Sequence, residues 1–136
     1  MSDWRFDKAP LVIAEVGVNH NGDTNQALQL IDVAVASGAD IVKFQTFTAK
    51  KLATESAPQA RYQTDNIGKA QTQLALLKSL ELTHEMHLAL IKHCKTVGIE
   101  FLSTAFDIAG LHYLVDLGVR RIKIPSGDLT NLPYLE

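Results

Sequence analysis

Two lysines lie inside short apolar runs, where a charged side chain needs an explanation. These are Lys43 and Lys123. Removing an ammonium group from water without a partner costs several kcal/mol, so each lysine needs a route to solvent or a negative partner. Glu15 and Asp128 are candidate internal partners, and extension to solvent at a strand end is equally simple. The two lysines together favour a small, multiply charged anion, and phosphate suits lysine and hydroxyl donors best.

Three segments, each beginning at a helix-ending glycine, form a weak internal repeat. They start at Gly38, Gly98 and Gly118 and continue as apolar strands. Aligned on these glycines, the segments place Lys43, Ser103 and Lys123 at one depth in neighbouring strands. Reactive groups of parallel α/β sheets gather at the carboxyl ends of the strands, so the alignment predicts that these side chains share a site.

Further polar side chains lie at the same strand ends. Gln45 follows Lys43 by two positions and therefore points to the same face of its strand. Thr104 has the opposite parity to Ser103, so we expect it to reach the site only where the strand has become loop. Ser126 follows the last predicted strand and adds a hydroxyl group.

Glu15 is a carboxylate in an otherwise apolar strand, a setting suited to acid–base chemistry. The structural alternative is that Glu15 only balances the charge of a lysine. The loop after its strand contains His20 and Asn21, and the turn after the last strand contains Asp128. Both loops belong to the predicted active face, although turns of this composition are also common for conformational reasons alone.

The histidines and the cysteine show no metal-ligand spacing. His84 and His87 are three residues apart on one predicted helix, and surface positions explain them more simply than a metal site. Cys94 falls on the apolar face of the same helix, which is typical of a small core residue rather than of a nucleophile.

Apolar patterning predicts four parallel strands that alternate with helices. The strands cover residues 11–16, 40–47, 99–104 and 120–124, and the helices begin at Asp23 or Thr24, near Gln71, at Thr83 and at Asp107. Residues 48–69 are mostly polar and predict a long irregular connection. This α/β order fits half of a (β/α)8 barrel or a small doubly wound sheet. A complete barrel takes about 250 residues, so residues 1–136 are expected to form a partial barrel domain.

The composition excludes several classes of protein. A net charge of −2 and the scattered distribution of 13 Lys and Arg provide no basic surface for nucleic acid. A single cysteine excludes an intramolecular disulfide framework and favours the cytoplasm. The amino terminus lacks the layout of a secretory signal, and no apolar run reaches the roughly 18 residues of a membrane helix, so no membrane association is expected.

Four ordered blocks of the sequence resemble the sialic acid synthase family, and the resemblance extends over residues 11–136. The blocks are IAEVGVNHNGD at residues 13–23, GADIVKFQT at 38–46, FLSTAF at 101–106 and IKIPSGDLTNLP at 122–133. Blocks in this order and at these intervals are a far more specific match than any one of them.

The resemblance implies the N-terminal half of a TIM (β/α)8 barrel, which in the family precedes an antifreeze-like domain and forms a homodimer. The implied activity is a transferase reaction that condenses phosphoenolpyruvate with N-acetylmannosamine or 2,4-diacetamido-2,4,6-trideoxymannose, using Mn²⁺ or Mg²⁺. In that reaction the enol carbon attacks the open-chain aldehyde of the sugar. Water adds to the resulting cationic carbon, and phosphate leaves by C–O cleavage.

Residue roles follow from the resemblance at the matching positions only. It implies phosphoenolpyruvate contacts at Lys43, Gln45, Thr104, Lys123 and Ser126, a catalytic carboxylate at Glu15, and sugar-side positions at His20, Asn21 and Asp128. The metal-binding histidines of the family lie on later strands, so no metal ligand is expected in this chain.

Two positions depart from the family pattern: Asp128 replaces a frequent glutamate and Ala105 replaces a frequent proline. Residues 46–52, with Tyr62 and Gln63, are closer to the diacetyllegionaminate branch than to the neuraminate branch. A related phosphoenolpyruvate aldol enzyme that makes a different ulosonate is the alternative within the synthases. The alternative outside them is a catalytically incomplete half-barrel that binds a phosphorylated anion or a partner chain, and we expect residues 1–136 alone to be inactive.

Overall fold

A parallel β-sheet covered by helices organises the part of the chain that the structure describes. The structure is a computed structural model, and it describes residues 9–53 and 72–136. These residues form a three-stranded sheet in the order β1-β2-β3, and both strand pairs are parallel. Sequential parallel strands joined by helices are the repeating unit of α/β folds, so the predicted fold class is confirmed.

Helices and strands alternate along most of the chain. In order, the elements are β1 (Ile13–Gly17), α1 (Thr24–Ala36), β2 (Ile41–Thr46), α2 (Ala49–Leu52), α3 (Gln73–Ser79), α4 (His84–Val97), β3 (Glu100–Ala105), α5 (Ile108–Asp116), a 3₁₀ turn (Ser126–Asp128) and α6 (Leu132–Leu135). Most of the long connection predicted at residues 48–69, including Tyr62 and Gln63, lies outside the described residues.

Local capping chemistry explains where the longer helices begin and end. The side chains of Asp23, Thr83 and Asp107 each accept a hydrogen bond from a backbone N–H in the first turn of α1, α4 and α5. Gly98 ends α4 in the left-handed conformation, with φ of 83°. These predicted caps are confirmed, and they fix the short connections that bring each helix back to the sheet.

The hydrophobic core lies between the sheet and helices α1 and α4. Its buried members are Val16, Ala27, Ile31, Ala34, Val42, Phe44, Leu82, Met86, Leu90, Cys94, Ile99 and Phe101. The rings of Phe44 and Phe101 stack across β2 and β3 with centroids 5.6 Å apart. Because side chains alternate along a strand, packing of Val42 and Phe44 against the helices directs Lys43 and Gln45 to the opposite face.

The strand predicted at residues 120–124 is wrong. Within residues 9–53 and 72–136 this segment joins no β-ladder. A strand of a parallel sheet is stabilised by ladder hydrogen bonds and by cover on both faces, but here Ile122 is 53% exposed. Arg121 is held by its side chain instead, donating from Nε to Oε1 of Glu100 at 2.9 Å. Apolar patterning therefore found the segment but not its conformation.

No helix in the described part of the chain is long and apolar enough to cross a membrane.

Candidate active site

An ion pair between two neighbouring strands lies at the centre of the candidate site. Glu15 on β1 and Lys43 on β2 are register partners, and Oε2 of Glu15 contacts Nζ of Lys43. The lysine side chain is only 12% exposed, whereas that of Glu15 is 52% exposed. Glu15 is thus the internal anion that the sequence required for Lys43, and its own exposure leaves it accessible from solvent.

Gln45 and Thr104 extend this surface toward the strand ends. They are register partners across β2 and β3, so both side chains lie on the same face as Lys43. The hydroxyl group of Thr104 is buried and has no hydrogen-bond partner among residues 9–53 and 72–136. A buried donor without a partner is costly, which makes this hydroxyl available to a bound molecule.

Strand register corrects the prediction for Ser103. Lys43 pairs with Leu102, and Ser103 pairs with Phe44 on the face covered by helices. Ser103 therefore does not share the depth of Lys43, and Thr104 reaches the site as part of the strand rather than as loop. A shift of one residue exchanges the two faces of a strand, which explains both errors.

Gly17 shapes the floor of the site. The register of β1 against β2 shifts between Glu15 and Gly17, and Gly17 adopts φ of 58°. A Cβ atom at this position would lie 3.2 Å from Oε1 of Glu15 and 3.4 Å from Nε2 of Gln45. The bulge thus brings these two side chains within reach of one point, and a side chain at Gly17 would crowd both.

Lys123 and Ser126 lie beyond the sheet and are both exposed. Ser126 begins the 3₁₀ turn, and Asp128 ends it and accepts a hydrogen bond from Nδ2 of Asn131 at 2.9 Å. The segment that follows is tied to the sheet, because the hydroxyl of Tyr134 donates to the carbonyl of Ala105 at 3.0 Å. This contact anchors the last described segment at the carboxyl end of β3. The roles of Lys123, Ser126 and Asp128 in binding stay predictions.

The loop between β1 and α1 separates the two residues expected on the sugar side. Asn21 is exposed with φ of 51°, whereas His20 is fully buried beside the Phe44 ring, with centroids 6.2 Å apart. Nδ1 of His20 accepts the N–H of Gly22 at 3.0 Å. Burial lowers the pKa of His20, and nearby His87 lowers it further. His20 supports the loop, and its contact with a sugar stays a prediction.

A buried polar cluster lies on the helix-covered face of β2 and β3, and the sequence did not predict it. The hydroxyl of Thr46 lies 2.7 Å from that of Ser103 and 2.9 Å from Nε2 of His87. His87 is 1% exposed, so the interpretation of this histidine as a surface residue is wrong. Its neighbour Met86 is also buried, which shows that α4 turns this side toward the sheet. The available sequence signal was the apolar Met86 beside His87, which makes the buried face of α4 wider than predicted.

The described ranges show no cluster of candidate metal ligands. Residues 9–53 and 72–136 contain no group of three or more His, Cys, Asp or Glu side chains that could hold a metal ion. Cys94 is buried in the core, and burial raises the pKa of its thiol to about 12, which keeps it protonated and unreactive.

The sequence matches the model of one protein family over most of its length. The NeuB family model covers residues 30–136. The chain belongs to the NeuB family. Residues 30–136 include Lys43, Gln45 and Thr104, whereas Glu15 lies before the matched range.

Several curated relatives of this NeuB-family chain are sugar-acid synthases. It is 50% identical to the N,N'-diacetyllegionaminic acid synthase of Legionella pneumophila over 92% of the chain and 35% of that protein. It is 49% identical to the synthase of the same name from Campylobacter jejuni, over 95% of the chain and 39% of that protein. Identity to the human N-acetylneuraminate-9-phosphate synthase is 34%, over 92% of the chain and 34% of that enzyme. The chain spans little more than a third of the curated relatives it matches.

Solved structures agree with the family assignment. The N-acetylneuraminic acid synthetase of Leptospira borgpetersenii superposes with a TM-score of 0.77 at 31% identity, covering 93% of the chain and 40% of that protein. The spore coat polysaccharide biosynthesis protein SpsE of Bacillus subtilis superposes with a TM-score of 0.71 at 32% identity, over 96% and 33%. The Leptospira synthetase is a TIM-barrel enzyme, so the NeuB-family chain is part of such a barrel, as predicted.

Proposed function

We propose that this chain supplies the phosphoenolpyruvate-binding part of a nonulosonic acid synthase, which joins phosphoenolpyruvate to an N-acetylated amino sugar and releases phosphate. One observation carries the proposal: the Glu15–Lys43 ion pair shares a face with Gln45 and with the hydroxyl of Thr104, which has no partner in the part of the chain that the structure describes. These are four of the positions at which the family resemblance implies catalysis or phosphoenolpyruvate contact. The 50% identity to a diacetyllegionaminic acid synthase supports the same activity.

The donors suit a ligand with two negative groups. Phosphoenolpyruvate carries a phosphate and a carboxylate, and Lys43 and Lys123 would each neutralise one of them. Gln45, Thr104 and Ser126 would donate neutral hydrogen bonds to the remaining oxygens. Glu15 has to lie close to the reacting carbon, where its charge repels the anionic ligand. The lysine charges would also offset this repulsion.

The proposed reaction forms a C–C bond, and a C–O bond from water replaces the C–O bond that is broken to phosphate. The enol carbon of phosphoenolpyruvate attacks the open-chain aldehyde of the sugar, and the resulting alkoxide takes up a proton. Water then adds to the cationic carbon, which still carries the phosphate-bearing oxygen, and loses a proton. The tetrahedral intermediate gives up its second water proton and collapses to a ketone as the C–O bond to phosphate breaks. Glu15 would stabilise that cation and orient the water, since its carboxylate lies beside the lysine that holds the ligand.

For the sugar, we favour 2,4-diacetamido-2,4,6-trideoxymannose over N-acetylmannosamine. Identity to the two diacetyllegionaminic acid synthases is 50% and 49%, against 34% to the human N-acetylneuraminate-9-phosphate synthase. Asn21 and Asp128 would contact the sugar from the exposed loops after β1 and before α6. Asp128 is one methylene shorter than the glutamate frequent in the family, so its reach into the sugar site is reduced.

The remaining properties of the enzyme are part of the same proposal. A divalent metal, Mn²⁺ or Mg²⁺, is expected from the family, but the described residues offer no ligand cluster that fits one. We therefore assign no step of the reaction to the metal, and we propose from the family resemblance that its ligands lie on later strands of the barrel. A cytoplasmic homodimer without nucleic-acid or membrane partners completes the proposal.

An anion-binding half-barrel without turnover is the second candidate. The face of the sheet that carries Lys43 also carries Ile13, which is 45% exposed, and Leu11 and Val12 beside it are 53% and 54% exposed. Apolar residues exposed in this way favour cover by another chain or by further strands. The chain would then bind phosphorylated anions without converting them.

Turnover by the complete enzyme separates the two candidates. The complete enzyme is this chain continued by the rest of its barrel domain. Incubation with phosphoenolpyruvate, Mn²⁺ and each sugar is expected to release phosphate and to yield a nonulosonic acid detectable by mass spectrometry. Phosphoenolpyruvate binding without product from any sugar would support the second candidate and contradict the synthase.

Removal of the exposed Lys123 tests its place in the anion site. In the complete enzyme, Lys123→Ala is expected to lower kcat/KM for phosphoenolpyruvate at least about tenfold, because one of two cations facing the ligand is lost. Stability should change little, since the side chain is exposed. The matched control is Lys92→Ala, which removes an exposed lysine from α4. Equal kinetics for the two variants would remove Lys123 from the site.

A further inference from the structure

A chain of hydrogen bonds crosses from β3 through β2 to the first turn of α4. The hydroxyl of Ser103 lies 2.7 Å from that of Thr46, whose oxygen lies 2.9 Å from Nε2 of His87. Nδ1 of His87 lies 2.8 Å from the carbonyl oxygen of Thr83, the capping residue of α4. All three side chains are buried, so these groups depend on one another for hydrogen bonds.

The proton positions in this series of hydrogen bonds follow from the carbonyl group of Thr83 at its end. A carbonyl oxygen only accepts, so Nδ1 of His87 must carry the proton donated to Thr83. In neutral His87, Nε2 then accepts, and the Thr46 hydroxyl donates to it. The Thr46 oxygen is left to accept from the Ser103 hydroxyl. Each hydrogen bond in this series therefore has a defined donor and acceptor, and that arrangement requires neutral His87.

The neutral state of His87 agrees with its surroundings. Burial lowers the pKa of His87, and nearby His84 lowers it further, against a raising effect of the Thr83 carbonyl. The rings of His87 and Tyr113 are nearly perpendicular, with centroids 5.2 Å apart. His84, Tyr113 and the Lys51–Asp107 ion pair line the cavity of about 270 Å³ beside His87. His20, in the loop after β1, lies close enough to His87 for the two rings to interact electrostatically.

The chain of hydrogen bonds lies directly behind the candidate anion site. Thr46 follows Gln45 on β2, and Ser103 precedes Thr104 on β3. Gln45 and Thr104 are register partners that face the site, while Thr46 and Ser103 face the helices. The bond between Thr46 and Ser103 therefore connects the two strands at the level of the ligand-facing pair, and His87 fixes that bond to α4.

We propose that His87 is a positioning residue, which acts through Thr46 and Ser103 to hold Gln45 and Thr104 at the spacing that phosphoenolpyruvate requires. This role rests on the proposed function, because it acts on the proposed phosphoenolpyruvate contacts. His87 itself touches no substrate. Loss of its acceptor nitrogen leaves the Thr46 hydroxyl free to turn and releases the strand ends from α4. The effect is confined to phosphoenolpyruvate, because the sugar-side loops are held by other contacts.

Steady-state kinetics of the complete enzyme test the proposal. His87→Leu removes the acceptor and is expected to raise KM for phosphoenolpyruvate at least about fivefold, with KM for the sugar within about twofold of wild type. His87→Gln keeps an acceptor oxygen near the position of Nε2 and should restore KM for phosphoenolpyruvate to within about twofold. The matched control is His93→Leu on the same helix, whose ring bonds Asp32 of α1 instead.

The pH profile distinguishes positioning from general support of the fold. Acid protonates His87 and turns Nε2 into a donor. Because burial lowers the pKa of His87, KM of the wild type for phosphoenolpyruvate should rise only at a pH below the ordinary titration range of histidine. His87→Gln carries no titrating ring and should weaken that rise. A purely structural role would instead lower the active fraction of His87→Leu without changing either KM.

Smaller substitutions keep the test valid if His87→Leu does not fold. Thr46→Val and Ser103→Ala should each raise KM for phosphoenolpyruvate. The double variant should raise KM by about as much as either single variant, because all three break the same series of hydrogen bonds. Unchanged KM values in an active enzyme would overturn the positioning role alone. Absence of turnover in the wild type would overturn the proposed function, and the positioning role with it.

Discussion

Lys43→Met is expected to lower kcat/KM for phosphoenolpyruvate at least about 100-fold in the complete enzyme. Lys43 is the mostly buried cation of the candidate site, so its charge acts on the ligand with little screening by water. Methionine fills similar space without the charge, and Glu15 is exposed enough to be hydrated once its partner is lost. The melting temperature should therefore stay close to that of wild type while turnover falls. Steady-state kinetics and thermal unfolding of the same preparations measure turnover and melting temperature.

Glu15→Gln is the complementary variant and should behave differently. It leaves the mostly buried ammonium of Lys43 without its counter-ion, so the protein should be less stable until an anion replaces the carboxylate. Phosphoenolpyruvate should then raise its melting temperature more than that of wild type, although kcat falls because the proposed catalytic carboxylate is gone. Kinetics of Lys43→Met equal to those of wild type would exclude this pair from the anion site.

The parts of the fold that local chemistry decides could be predicted from the sequence. An aspartate or threonine before an apolar periodic run is sufficient to begin a helix, and Asp23, Thr83 and Asp107 all do so. A glycine after the last helical turn is sufficient to end one, as Gly98 does. The alternation within β2 also placed Lys43 and Gln45 correctly on one face, because parity inside one strand needs no knowledge of its neighbours.

Relations between strands were harder to predict, because they depend on the length of each turn. The alignment on glycines assumed that five residues separate each glycine from the same depth of the sheet. That holds from Gly38 to Lys43, but the register pairs Lys43 with Leu102, only four residues after Gly98. The one-residue difference moved Ser103 to the helix side and Thr104 to the site.

Long-range hydrogen bonds were beyond the reach of sequence patterns. His87 bonds to Thr46 across 41 positions, and Thr46 bonds to Ser103 across 57. Each of these residues alone has a common surface interpretation, and only the packing of α4 against β2 and β3 removes them from water together. The segment at 120–124 is the opposite case, in which a strong apolar pattern meets no cover in the described residues.

Gly22→Ala is expected to destabilise the complete enzyme by about 2–4 kcal/mol, through two separate costs. Gly22 has φ of 76°, a conformation that an L-residue adopts only with strain. A Cβ atom there would also lie 2.2 Å from the carbonyl oxygen of Ser79, at the end of α3. Backbone cannot yield to such a contact as a flexible side chain can, so the loop or the helix must move. Thermal unfolding should show a loss of several degrees.

Gly38→Ala is the matched control, because it carries the first cost without the second. Gly38 has φ of 77°, but an added Cβ would meet no atom within 4 Å in the described parts of the chain. Its expected cost is therefore only about 1–2 kcal/mol, and the difference between the two variants measures the contact with Ser79. The same contact positions the loop that carries His20 and Asn21, so Gly22→Ala should also raise KM for the sugar, whereas Gly38→Ala should not. Equal melting temperatures for the two variants would mean that α3 does not pack against this loop.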